Sequence, residues 1–192
     1  MSDFWLYLKL GLTHVLDWQA YDHVLFLIVL VAAYSFSNWK RIFILVSLFT
    51  LGHTVSLLLA NYNVVAVSSK WIEILIPITI LVAALYNLFT SGKNNRSEKV
   101  GLFYVITIFF GLIHGFGFAT YYKMINGNND ILPLLEFALG VELAQIIVVT
   151  GVLILSFIFQ SIFRFNKKDW VLVVSSIVIG VVIPMLQKNW PF

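Results

Sequence analysis

Six stretches of about twenty residues run through this chain with almost no charge, the length a helix needs to cross the hydrocarbon core of a bilayer. They cover roughly residues 20–38, 42–60, 71–90, 101–122, 131–157 and 169–187. The second and fourth contain no Asp, Glu, Lys or Arg at all. An isolated segment in lipid must satisfy its own backbone hydrogen bonds, so each is expected to be a helix. Composition agrees: hydrophobic residues make up 60% of the 192 residues and charged ones 11%, where soluble domains carry about 25%. The expected fold class is an all-α integral membrane protein, with six transmembrane helices embedded in the lipid bilayer as one polytopic domain. Residues 4–16 are too short to cross and carry Lys9, so they are expected to form an interfacial or re-entrant helix. No internal repeat of the kind many transporters carry is evident.

Turn and cap residues mark the breaks: 37–41, Asn61-Tyr62-Asn63, Ser91–Lys99, Asn126–Asp130 and Asn166–Asp169. All six tryptophans fall near expected span ends, as an aromatic belt would place them. The loops after spans one, three and five hold Lys40, Arg41, Lys93, Arg96, Lys99, Arg164, Lys167 and Lys168; the opposite side holds Lys9, Lys70, Lys123 and Lys188. Positive residues stay inside, so both termini are expected on the outer side. The same count accounts for the pI of 9.1 without a nucleic-acid partner. The chain start does not resemble a cleavable signal peptide with a basic leader. There are no cysteines and three methionines, which excludes thiolate zinc sites and disulfides and argues against a thioether path for Cu(I).

Polar residues in this apolar background are the functional signal. All four histidines lie inside or at the edge of apolar runs: His14, His23, His53 and His114. Asp22 adjoins His23, and Glu142 lies within 131–157. Such groups cost free energy in hydrocarbon and are seldom placed there without partners or a task. Together they form an N and O ligand set for a divalent metal. The helical rise places His53 about 10 Å, His114 about 12 Å and Glu142 about 15 Å from the outer surface, with Asp22 and His23 within about 5 Å. Gln145, at i+3 from Glu142, is expected to orient that carboxylate, and Thr54 and Ser56 to support His53. The plainer alternative for His53 and His114 is a hydrogen bond to a neighbouring helix. For Asp22 and His23 it is a helix cap with an interfacial side chain, and for His14 an interfacial position. Glu136, Glu73 and Asp17 read as surface groups.

Motifs in order along residues 11–150 resemble those of the HupE/UreJ family of bacterial membrane proteins. They are Gly11-Leu-Thr-His14 with Tyr21-Asp22-His23-Val-Leu-Phe, then Leu51-Gly52-His53-Thr54-Val-Ser56-Leu. Gly111-Leu-Ile-His114-Gly115-Phe-Gly117-Phe and Phe137-Ala-Leu-Gly140-Val-Glu142-Leu-Ala-Gln145 follow. The resemblance implies about six spans in the bacterial cytoplasmic (inner) membrane and a role in nickel or related metal uptake. It also implies His14, Asp22, His23, His53, His114 and Glu142 as metal residues. Seven residues separate His14 from Asp22, where the family pattern has five, so the chain departs from the pattern at His14. The extra outer N-terminal domain that many members of this second subgroup carry is not expected here.

Two functions are therefore expected from different classes. The first is an uptake permease for nickel or cobalt, with Glu142 balancing charge; neutral imidazole suits Ni, Co and Zn alike. The second is an intramembrane zinc-type hydrolase facing outward, with Glu142 or Asp22 as general base. A structural membrane subunit leaves the polar layer unexplained. A homo-oligomer is compatible with either function.

Overall fold

The computed structural model describes residues 2–65, 67–92, 100–126 and 130–190. Lys93, Arg96 and Lys99 of the orienting charge count lie outside the described residues, as do parts of the breaks Ser91–Lys99 and Asn126–Asp130. Among the described residues the regular structure is entirely helical: α1 (Ser2–Leu16), α2 (Asp22–Val31), a 3-10 turn (Phe36–Asn38), α3 (Trp39–Asn61), α4 (Ser69–Thr90), α5 (Val100–Ile125), α6 (Ile131–Ser161) and α7 (Lys167–Lys188). Five of these, α3 with its preceding turn and α4 to α7, are long and apolar enough to cross a membrane. Pro77 and Pro184 sit inside α4 and α7 without ending either helix.

The expected first span is where sequence and structure part. Instead of one helix over 20–38, α2 stops at Val31 and the chain turns before a short 3-10 segment. Ten residues rise about 15 Å, roughly half the hydrocarbon core. α2 is nonetheless deep in the bundle, with Phe26, Leu27, Val29 and Val31 almost wholly buried. Its C-terminal half is tied to α4, where Asn87 Nδ2 donates to the Val29 carbonyl at 2.7 Å.

Glycines decide which helices lie closest. A Cβ on Gly52 would meet the Ile108 carbonyl oxygen at 2.2 Å, and one on Gly111 the Phe49 carbonyl oxygen at 2.3 Å. The backbones of α3 and α5 therefore touch, as small residues allow in membranes. The same device joins α1 to α6: a Cβ on Gly11 would lie 2.2 Å from the Phe137 oxygen, and one on Gly140 2.2 Å from the Leu8 oxygen. α1 is thus packed along α6, with Val15 fully buried, which favours the re-entrant over the interfacial expectation. Tyr7 and Glu136 both lie within electrostatic reach of the Tyr122 hydroxyl. The start of α1 therefore lies beside the end of the bundle where α5 finishes and α6 begins.

Candidate metal centre

Four helices each deliver one imidazole to a common point: His14 from α1, His23 from α2, His53 from α3 and His114 from α5. His53 stands eight positions from the end of α3, about 12 Å, and His114 eleven from the end of α5, about 16 Å. The Gly52, Gly111 and Gly115 contacts hold these two helices at backbone distance, which brings both rings into one layer. His23 is the hub. Its ring centroid lies 4.6 Å from that of His14, 5.7 Å from His53 and 5.2 Å from His114. His14 lies 5.5 Å from His53.

This geometry corrects the expected depth of Asp22 and His23. They are not within about 5 Å of the surface; α2 begins level with His53 and His114, in the middle of the bundle. The estimate assumed that a span starts at the interface, whereas here the chain leaves helix over the mostly exposed residues 17–21 before α2 begins beside His53 and His114. Non-helical backbone within a membrane is tolerated where it lines a cavity. The break does so here: Asp17, Trp18, Gln19 and Ala20 line a cavity of about 930 Å³ whose walls include His14, His23, His114, Glu73 and Tyr121.

The imidazoles are held in one orientation. His23 Nδ1 faces Asp22 Oδ1 at 3.1 Å, and His114 Nδ1 faces the Phe110 carbonyl at 2.9 Å. Each Nδ1–H donates to an oxygen, leaving the Nε2 lone pair free, the pattern in which protein histidines bind metals. All four Nε2 atoms are buried and have no hydrogen-bond partner. Four buried ring nitrogens without a hydrogen-bond partner are costly unless something binds them. His14, His23 and His53 each offer a nitrogen, and these three atoms lie within 4.8 Å of one another. Tetrahedral coordination at 2.0–2.1 Å would bring nitrogens to about 3.4 Å, a contraction that side-chain rotation supplies. The donor set therefore fits a divalent metal. Phe118 packs 3.9 Å from the His14 ring, and Phe137 stacks on Phe118 with an interplanar angle of 6°. These aromatics shield the His14 side and had no distinguishing signal in the sequence.

The remaining expected residues fall elsewhere or take other roles. Glu142 Oε1 accepts a hydrogen bond from Ser47 Oγ at 2.6 Å, in the seam between α3 and α6, and stands outside the compact histidine group. Gln145 does not orient Glu142 through any bond seen here; its Oε1 accepts from Thr50 Oγ1 at 3.2 Å. Thr54 donates to the Thr50 carbonyl and Ser56 to the His53 carbonyl, so both bond backbone rather than an imidazole. Thr50 and Ser47 are the polar partners that sequence reasoning missed. Their signal was available only as helical phase, at i−3 and i−6 from His53.

A family model described as HupE / UreJ protein matches residues 1–188 of the chain. No curated protein and no solved structure matches it.

Proposed function

The chain belongs to the HupE / UreJ family, and from that premise we propose that it is a bacterial inner-membrane permease that takes up a divalent first-row metal ion. The observation that carries the reading is the convergence of His14, His23 and His53, whose ligand nitrogens lie within 4.8 Å of one another, among four buried Nε2 atoms that lack a hydrogen-bond partner. Imidazole suits nickel, cobalt and zinc, and nothing in the donor set selects among them.

In this reading α1 and α2 jointly form the first of six crossings, interrupted at residues 17–21. Broken helices of this kind place substrate sites at mid-membrane in secondary transporters, because helix ends expose polar backbone there. The charge bias of the loops supports an outward-facing cavity in this reading. His14, His23, His53 and His114 bind the ion, while Asp22 fixes the His23 tautomer and supplies the nearest negative charge. Glycine contacts between α3 and α5 and between α1 and α6 set the spacing of the ligands.

The test is uptake of Ni²⁺ or Co²⁺ into proteoliposomes of the full chain, beside His23→Ala. Uptake that His23→Ala abolishes supports the permease. A second reading, an intramembrane metal-dependent hydrolase, is favoured by a cavity of about 930 Å³, which would also admit a small organic substrate to the histidines. Metal that stays bound stoichiometrically with no uptake would favour that reading instead.

A further inference from the structure

The histidines do not all face the cavity. His14, His23 and His114 line it; His53 does not, although it completes the compact group with His14 and His23. Two sets of three imidazoles therefore share His14 and His23: one with His53, whose ligand atoms lie within 4.8 Å of one another, and one with His114, which lines the cavity and meets the group through His23 at a ring distance of 5.2 Å. His114 is held back by its bond to the Phe110 carbonyl on its own helix. His53 is wholly buried, in ring contact with both His14 and His23, with Phe137 stacked 6.1 Å away.

We propose that these are two successive, overlapping metal positions. A receiving position at the floor of the cavity is formed by His14, His23 and His114, and a retaining position behind it by His14, His23 and His53. The inference rests on the metal-permease reading and adds to it an order of events. The ion arrives through the cavity, meets His114 first, and passes His114 for His53 while keeping two ligands. The transfer exchanges the metal–nitrogen bond to His114 for one to His53, and the His114 Nδ1–H bond to the Phe110 carbonyl leaves its Nε2 as the acceptor. Three carboxylates line the cavity, Asp17, Asp22 and Glu73; the exposed pair, Asp17 and Glu73, gives the approach a cation-attracting field. The shared ligand His23, in ring contact with both His53 and His114, is the pivot.

The experiment is stopped-flow binding of Co²⁺ to the full-length protein in detergent, read by the visible absorption of nitrogen-ligated cobalt. Wild type is compared with His114→Gln and His53→Gln, each first shown to be monodisperse. Gln keeps most of the side-chain volume, and His114→Asn and His53→Asn serve as replacements if either Gln variant fails to fold. The expected result is a split. The His114 variant binds at least about tenfold more slowly but, once loaded, releases cobalt at close to the wild-type rate. The His53 variant binds at close to the wild-type rate and releases at least about tenfold faster. Equal effects of the two variants on both rates would overturn the proposal and indicate one four-histidine position, leaving the permease reading intact. Absence of any cobalt signal from wild type would overturn both.

Discussion

Asp22 Oδ1 accepts two hydrogen bonds from the residue that follows it, one from His23 Nδ1 at 3.1 Å and one from the His23 backbone N–H at 2.9 Å. The carboxylate thereby locks both the ring and its tautomer at the start of α2, where the positive helix terminus also favours an anion. A carboxylate behind a metal-binding histidine typically contributes 10–100-fold in metal affinity. Asp22→Asn is therefore expected to weaken Ni²⁺ or Co²⁺ binding by about tenfold or more without abolishing it, measured by competition with a chromophoric chelator. Loss equal to that of His23→Ala would mean that Asp22 itself ligates.

Gly115 tests the packing that brings His53 and His114 together. A Cβ there would stand 2.4 Å from the His53 carbonyl oxygen, and closer still to Ser56 Oγ. The carbonyl belongs to α3 backbone and cannot step aside, so α3 and α5 must separate. Gly115→Ala is expected to destabilise the folded protein by about 1–3 kcal/mol, the usual scale for overpacking, and to lower metal affinity. Gly151→Ala and Gly180→Ala, where a Cβ would meet nothing within 4 Å, are expected to leave both unchanged. Thermal unfolding in detergent with a metal titration checks all three variants.

Glu142 is bonded by Ser47 at 2.6 Å and lies outside the histidine group. Glu142→Gln keeps an acceptor for that hydroxyl, so metal stoichiometry is expected to remain at the wild-type value in equilibrium dialysis. Glu136→Gln, near Tyr122 at the end of the bundle, is expected to behave the same way. A loss of bound metal in the Glu142 variant would return this residue to the ligand set.

Asp17 and Glu73 act at a distance if they act as a field. Neutralising both with Asp17→Asn and Glu73→Gln is expected to slow cobalt association by up to about tenfold and to flatten its dependence on salt, because screening removes such steering. The dissociation rate is expected to stay unchanged. A faster dissociation with unchanged association would place one of them in direct contact with the ion.

The sequence made the long helices legible because length and apolarity alone decide whether a segment can cross lipid. α3 to α7 lie close to the segments expected from hydropathy. It also singled out all four histidines, since a polar group in an apolar run is conspicuous wherever it packs. What it could not supply was depth. Residues 20–38 are hydrophobic enough to read as one span, but the turn after Val31 and the break at 17–21 are fixed by tertiary packing of α2 against α4 and α6. Partner choice was equally hidden. Gln145 and Glu142 share a helical face, yet Thr50 and Ser47 on α3 take one each, and only the crossing of α3 and α6 determines that. Asp17 and Glu73 are exposed, as expected of surface carboxylates, and the packing of the helices adds that both line the cavity.

The most direct measurement is equilibrium dialysis of the purified full chain against micromolar Ni²⁺, with bound metal determined by elemental analysis beside His23→Ala. His23 is the ring in contact with all three other imidazoles, so its removal dismantles both proposed positions. Saturable nickel binding in wild type that disappears in a monodisperse His23→Ala protein is the expected result. Equal metal content in the two proteins would contradict the account, because the four converging imidazoles would then not be the site.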